Sequence, residues 1–527
     1  MLVYKPRTLE FGTSGRRGKV TDLTQLEIYV NALAEIEYLQ TLDQSAGGIV
    51  RGDEIFIARD LRPSSDRFVP EQEGRGEIAQ AIVAAAQDAG MRPINLGCIP
   101  TPALAHYALV RGRASIMVTG SHIPFDRNGY KLYTSAGELS KAQEHPINAR
   151  AEQVRRRLYD QPLDQSAFDA RGFLRAGHHG LPPADDAARA AWIERYANFF
   201  SGASLNGVRI LVYQHSAVGR DLLVEILDGL GAQVIPAGRS DTFVPIDTEN
   251  IGPPQLAAIQ ALADEAAVAH GRLDAIVSTD GDSDRPLILG VDGATGKARF
   301  FGGDLVGIVV AEYLQADAVV VPITCNDAID RGPLAAVLEP KTRIGSPYVI
   351  AGMEEACRKG RKRVCGWEPN GGFLTASDLE RNGAVLRGLL TRDAFLPILG
   401  VLFAAAELRL SIVDLFARLP KRFSRAALLP QFPRALGAKV VAYLIQANLA
   451  GIFTPEIGFG TVVKLDQTDG LRMTFDNGEV VHVRPSGNAD ELRIYAVADT
   501  QGRADAIAAM GIAEPDGILR RLERIIT

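Results

Sequence analysis

The strongest constraint on the fold is a pattern that recurs along the chain. Residues 54–58 read as an apolar strand, 60–65 as a polar loop, 78–89 as a helical run closed by Gly90, and 93–96 as a second strand. The same order returns at 208–213, 215–219, 222–230 with Gly231, and 233–236; a third copy starts at 318–322, with a loop at 324–326 and a shorter helix after it. Strand, helix and strand in succession call for a mixed or parallel sheet covered by helices on both faces. In such an architecture, loops at the carboxyl ends of the strands are where chemistry can be placed. A chain of 527 residues is too long for one core and divides into three or four units. Residues 161–186 break the rhythm with Pro162, Gly172, Gly177, Gly180, Pro182 and Pro183, and read as the connection between units at 1–185 and 186–300. The His178-His179 pair within it reads as part of a solvated linker, since no carboxylate or Cys keeps a metal spacing with it. Gly302-Gly303-Asp304, ahead of a helical pattern at 305–314, opens a third unit at 301–420, and 421–527 forms a smaller fourth.

Two loops carry the clearest chemistry. The first, Thr119-Gly120-Ser121-His122-Ile123-Pro124, leaves the apolar run 114–118 and delivers a hydroxyl and an imidazole side by side, with the ammonium of Lys131 close behind. A rigid sheet can hold a reactive oxygen in such a loop, and Ser121 reads as a hydroxyl that carries a phosphoryl group. The second, Ser278-Thr279-Asp280-Gly281-Asp282-Ser283-Asp284-Arg285, follows the apolar run 273–277. Alternation lets Asp280, Asp282 and Asp284 converge on one hard cation, with Gly281 letting the backbone bend. An EF-hand would need its Gly later and a bidentate Glu at the end, whereas Pro286 and an apolar run follow here. Three protein oxygens suit Mg²⁺ that shares a phosphate oxygen, and a phosphorylated Ser121 would supply it.

Three further loops complete a recognisable set: Gly12-Thr13-Ser14-Gly15-Arg16-Arg17-Gly18, Trp367-Glu368-Pro369-Asn370-Gly371-Gly372, and Arg484-Pro485-Ser486-Gly487-Asn488. With these five loops in order over nearly its whole length, the chain resembles the α-D-phosphohexomutases, the family of the phosphomannomutase and phosphoglucomutase type. The resemblance implies three similar mixed-sheet α/β domains plus a smaller C-terminal α+β domain around a central cleft. It implies interconversion of hexose 6-phosphate and hexose 1-phosphate, with mannose the first choice of sugar, through a phosphoserine and a hexose 1,6-bisphosphate. Glucose or an amino sugar is the alternative substrate. A Mg²⁺-dependent sugar phosphatase and a non-catalytic sugar-phosphate sensor are the readings from other classes.

The resemblance also implies roles. Ser121 is the phosphoryl carrier; Arg17 is carried over from the first loop, while the role of Arg16, where the family usually has an apolar residue, is open. Lys131 and His122 are the candidates for proton transfer at the sugar hydroxyl, and Arg285 adds donors around the moving group. Glu368 and Asn370 would read sugar hydroxyls, with Gly345 and Ser346 a neighbouring contact. Arg484, Ser486, Gly487, Asn488 and Arg493 would clamp the distal phosphate. Departures from the family pattern are Gly120 for Ala, Ile123 for Asn, Asn370 where bacterial members often carry Ser, and Asn488-Ala489 for Thr-Glu, while the loop set with its Gly371-Gly372-Phe373 variant is most similar to the bacterial phosphomannomutase type, which is the ground for mannose. The last loop sits among strands expected at 460–465, 471–475 and 480–483, with an Asn477-Gly478 hairpin turn.

Composition sets limits on the rest. A net charge of −6 argues against a general nucleic-acid surface, so anionic ligands must be held by local basic clusters. Cys98, Cys325, Cys357 and Cys365 lack zinc or redox spacing, and a reducing cytoplasm is the simplest compartment. Residues 1–10 have no long apolar core of a signal peptide, and the greasy stretch 395–406 is too short to span a bilayer and reads as a buried helix. The expected partners are small hexose phosphates, with no nucleic acid and no membrane; a monomer or homodimer is expected. The expected cofactors are Mg²⁺ and a hexose 1,6-bisphosphate activator.

Overall fold

The computed structural model describes every residue except Met1, Thr13, Asn250, Asn488 and Ala489. The strand–helix–strand repeats become three mixed sheets in sequence. In the first, Ser115–Val118, Glu54–Arg59 and Arg92–Cys98 run parallel, and Arg127–Thr134 then Arg16–Lys19 add to the edge antiparallel. In the second, Gln233–Arg239, Arg209–His215 and Ala275–Thr279 are parallel, and Pro286–Val291 and Ala298–Phe300 turn back antiparallel. In the third, Ala318–Val320 and Val364–Trp367 are parallel, followed by Phe373–Thr375 and Leu389–Asp393 in antiparallel pairing.

These sheets share a construction that positions the chemistry. In each, the last parallel strand turns through one loop into its antiparallel neighbour, and those three loops hold Ser121, Asp280 to Asp284, and Glu368. The reversal places each loop at the carboxyl end of a strand whose residues are buried, so the sheet fixes both ends of the loop.

Helices cover the sheets where the apolar spacing predicts them: Ile78–Asp88, Arg220–Gly229 and Gly303–Tyr313. The greasy stretch forms the helix Phe395–Leu408, buried on nearly all sides. It packs on Gly303–Tyr313 and meets Trp192, whose ring lies 5.7 Å from that of Phe395. Through this helix one continuous apolar core joins all three sheets. Among the described residues no helix is long and apolar enough to cross a membrane.

The fourth sheet is wholly antiparallel, in the order Phe423–Pro430, Glu491–Ala498, Val480–Pro485, Leu471–Phe475, Val462–Asp466. Its hairpin turns at Asn477-Gly478, where Gly478 takes φ 81°. Helices Arg434–Gln446, Gln501–Ile512 and Ile518–Ile526 cover one face and enclose a separate core running from Leu429 to Leu522. Polar contacts join this unit to the third: Arg422 donates to both oxygens of Asp327 at 2.6 and 3.0 Å, Arg343 Nε to Thr468 O at 3.2 Å, and Ile344 N to Asp469 Oδ2 at 3.1 Å.

The linker leaves His178 and His179 exposed to solvent, yet it is tethered. His178 Nδ1 lies 2.7 Å from Glu77 Oε2 and its ring packs edge-on against Phe68 at 4.6 Å, so this stretch is pinned to the first sheet unit.

Candidate active site

The serine loop is built around two residues of the first repeat, Asp60 and Arg62. Asp60 Oδ2 accepts from Thr119 Oγ1 at 2.9 Å and from Gly120 N at 3.2 Å, and Asp60 Oδ1 accepts from Ser65 Oγ. Arg62 donates to four carbonyl oxygens of the loop, those of Ser121, Ile123, Pro124 and Arg127, at 2.6 to 3.1 Å. Its guanidinium is covered by the Phe243 ring, 3.7 Å from the centroid, on a segment following the second sheet's edge strand. On the other side stands Gly120, where a Cβ would lie 2.6 Å from Arg62 Nε. Held this way, Ser121 adopts φ 52°, a left-handed conformation that a serine takes only when its surroundings impose it.

The acidic loop meets it face to face. Ser121 Oγ donates to Asp280 Oδ2 at 2.7 Å, and His122 Nδ1 is 3.3 Å from the same hydroxyl. Gly281 serves here for close approach rather than for bending: a Cβ on it would lie 2.6 Å from Ser121 O. Lys131 Nζ bonds Asp282 Oδ2 and Asp284 Oδ2, each at 2.7 Å. Thr101, the first residue of the helix Thr101–Val110, grips the same loop, with N to Asp282 O at 3.0 Å and Oγ1 to Asp282 Oδ2 at 2.7 Å.

The electrostatics follow from three buried carboxylates in one place. Burial, then Asp282 and Asp284, hold the Asp280 carboxyl well above its ordinary range. Burial pushes its two neighbours up as well, but their cations prevail: Asp282 lies below the ordinary range through Lys131 and the Thr101 hydroxyl, and Asp284 through Arg392, Lys131 and Arg285. The Arg285 and Arg17 charges, together with burial, hold His122 far below its usual value and keep it neutral. Burial lowers Arg17 to about 10 even though Asp282 is near.

The residues fit a Mg²⁺ ion. One oxygen from each of Asp280, Asp282 and Asp284 falls within 4.8 Å of the others, and the buried Asp282 Oδ1 and Asp284 Oδ1 find no hydrogen-bond partner among the described residues.

The remaining sequence-predicted residues fall into two groups. Arg17 and Arg285 join the acidic loop, Arg285 Nε standing 3.6 Å from Asp284 Oδ1. Glu368 reaches the same loop indirectly, because Arg392 bonds both Glu368 Oε2 and Asp284 Oδ2. Asn370 spends its side-chain carbonyl on Gly372 N at 2.9 Å, and its backbone carbonyl accepts from Thr248 Oγ1. Gly345, at φ 124°, precedes Ser346, whose hydroxyl donates to Glu138 Oε2 of the first unit at 2.8 Å.

On the fourth unit, Arg484 and Arg493 are cross-strand partners. Arg484 Nε bonds Asp469 Oδ1 at 3.2 Å, Arg493 bonds Glu491, and Ser486 N donates to Glu491 O. Asp469 Oδ2 also holds Ile344 N, which sets the Arg484 loop beside Gly345. Gly487 O accepts from Arg434, and Asn488 lies outside the described residues.

Arg16 turns away from the site. Its guanidinium is buried on Glu35 at 2.7 Å, Leu9 O at 2.6 Å and Asn148 at 2.9 Å, beneath the Phe11 ring, so its role is to anchor the loop from which Arg17 projects.

Residues 8–157, 302–423 and 430–513 match domain I, domain III and the C-terminal domain of the phosphoglucomutase/phosphomannomutase family. A phosphomannomutase of Sinorhizobium fredii is 40% identical over 510 residues, 96% of this chain and 98% of that protein. A phosphomannomutase of Salmonella muenchen is 38% identical over 501 residues, 94% of this chain and 92% of its own length. The crystal structure of a phosphoglucomutase/phosphomannomutase family protein from Burkholderia thailandensis superposes with a TM-score of 0.68 at 17% identity, over 98% of this chain and 97% of that one. Matched over its first, third and fourth units and aligned nearly end to end with these relatives, the chain belongs to the α-D-phosphohexomutase family of phosphoglucomutase/phosphomannomutase enzymes.

Proposed function

We propose that the chain interconverts mannose 6-phosphate and mannose 1-phosphate by way of a phosphorylated Ser121 and a hexose 1,6-bisphosphate. The observation that carries this reading is the Ser121 Oγ placed 2.7 Å from Asp280 Oδ2, at the rim of three clustered carboxylates. The choice of mannose rests on the two phosphomannomutase relatives at 40% and 38% identity.

In this scheme the sugar hydroxyl oxygen attacks the phosphorus of phosphorylated Ser121, the P–Oγ bond breaks, and Ser121 Oγ leaves as the phosphoryl group passes to the sugar. The hydroxyl proton is taken within the Lys131 and His122 pair. Once the bisphosphate has turned end for end, Ser121 Oγ attacks its other phosphorus, the bond from that phosphorus to the sugar oxygen breaks, the sugar oxygen takes back a proton from the same pair as the product hydroxyl, and the phosphorylated serine is restored. Mg²⁺ held by Asp280, Asp282, Asp284 and a phosphate oxygen on Ser121 supplies charge neutralisation when bound. Arg17 and Arg285 add donors around the group in transit. Glu368 and Asn370, with Gly345 and Ser346 beside them, orient the ring through its hydroxyls. Arg484, Ser486, Gly487, Asn488 and Arg493 grip whichever phosphate is not reacting, so either orientation binds. The work divides among units at 1–185, 186–300, 301–420 and 421–527, with hexose 1,6-bisphosphate as the activator that loads Ser121.

The test is a competition among mannose, glucose and N-acetylglucosamine 1-phosphates with Mg²⁺ and a trace of bisphosphate. Preferred conversion of the mannose ester is expected. Release of inorganic phosphate in place of the isomerised ester would overturn the mutase reading.

A further inference from the structure

Arg392 is the penultimate residue of the strand Leu389–Asp393 and is 3% exposed, yet it is not part of a simple ion pair. Its Nη1 donates to Glu368 Oε2 at 3.0 Å, while Nε and Nη2 donate to Asp284 Oδ2 at 3.1 and 2.8 Å. One planar guanidinium therefore joins the carboxylate proposed to read the sugar to one proposed to hold the cation. The neighbouring chain makes room for it: a Cβ on Gly372 would lie 2.4 Å from Arg392 Cδ, 2.7 Å from Cγ and 2.9 Å from Cβ. Because the whole stem lies across Gly372, the Gly371-Gly372-Phe373 variant of the sugar loop and Arg392 belong together.

From this geometry we propose that Arg392 is a positioning residue with two opposed effects. It fixes the Glu368 carboxylate for a sugar hydroxyl, and it competes with a divalent cation for Asp284. The first effect depends on the fork geometry, since a guanidinium can bond two carboxylates at fixed angles and an ammonium cannot. The second depends on charge alone, because a buried cation beside Asp284 repels any other cation brought to the same oxygens. The inference rests on the roles proposed above for Glu368 and Asp284.

Calorimetric titration of wild type, Arg392→Met and Arg392→Lys separates the two effects. Mg²⁺ is titrated without sugar, and mannose 1-phosphate at saturating Mg²⁺. In Arg392→Met the dissociation constant for Mg²⁺ is expected to fall about threefold or more while that for mannose 1-phosphate rises about tenfold. Arg392→Lys, which keeps the charge and serves should the Met variant not fold, is expected to return Mg²⁺ affinity to the wild-type value and leave sugar-phosphate binding weak. A general structural defect would weaken both ligands together. Shifts in the same direction in the Met variant, or wild-type sugar-phosphate affinity in the Lys variant, would overturn the inference alone. Wild-type protein that binds Mg²⁺ but none of the hexose 1-phosphates would overturn the mutase reading as well.

Discussion

Ser121 Oγ and Asp280 Oδ2 are 2.7 Å apart although 159 positions separate them in the chain. Each sits where its sheet changes from parallel to antiparallel, so two independent sheets aim their reversal loops at one point. If that point is where phosphoryl transfer occurs, Ser121→Ala removes the carrier and leaves the loop otherwise intact, since Arg62 and Asp60 hold its backbone. Turnover of hexose 1-phosphate is expected to fall by about a thousandfold or more. Intact-mass measurement should show a single added phosphoryl group on wild type and none on the variant. Activity within a few-fold of wild type would remove Ser121 from the reaction.

Asp282 presents one oxygen to Lys131 and Thr101 and another with no hydrogen-bond partner among the described residues. Asp282→Asn is expected to weaken Mg²⁺ binding by about tenfold or more, read by calorimetry in the absence of sugar. Thr101→Val should act in the same direction but by only about threefold, through the freed orientation of Asp282, and Thr101→Ser should restore it. Unchanged titrations for both residues would mean that the cation binds elsewhere.

The contact between Gly120 and Arg62 makes a sharp demand on a small substitution. In Gly120→Ala the new methyl group must displace a guanidinium tied to four carbonyls, and overpacking of this kind costs about 1–3 kcal/mol. Denaturant titration should show that loss. Because the displaced group holds the Ser121 loop, kcat is expected to fall about tenfold with KM little changed. A variant as stable and as fast as wild type would show that the loop does not depend on Arg62.

Two histidines unconnected with catalysis set an acid limit on stability. His215, fully buried, donates Nε2–H to Thr279 O at 2.8 Å, and buried His482 does the same to Asp469 O; neither Nδ1 has a partner among the described residues. Burial lowers each from its ordinary value to about 4. Between pH 6.5 and about 4 the unfolded chain therefore binds more protons than the folded one. Stability from these groups is complete above pH 6.5 and is lost as pH falls toward 4, by about 3 kcal/mol each. Guanidinium midpoints measured from pH 7 to 4.5 should decline, and His482→Gln, which keeps a donor, should flatten the slope. A midpoint independent of pH over that range would contradict the buried, neutral state.

The framework was legible in the chain because apolar runs and glycine stops are local signals. The helix expected at 78–89 spans Ile78–Asp88, and the acidic run expected to converge does so. Edges were less legible. The strand expected at 460–465 begins later, as Val462–Asp466, because Thr461 N is taken by Asp476 Oδ1 across the hairpin.

Residues that act through others were missed, since their partners are distant in sequence. Asp60 and Arg62 lie in the polar loop of the first repeat, where a carboxylate and a guanidinium two residues apart were a usable sign. Arg392-Asp393 interrupts an otherwise apolar stretch, and a charge in such a place must find a buried partner. Nothing local marks Thr101 or Glu138, whose partners come from other sheets.

The fourth unit encloses its own apolar interior and meets the third through guanidinium, amide and carboxylate contacts. Each of those bonds, exchanged for one to solvent, costs about 0.5–1.5 kcal/mol. For the turning bisphosphate proposed above, this makes the fourth unit the element able to open, with the first three units, fused through a common interior, as the frame.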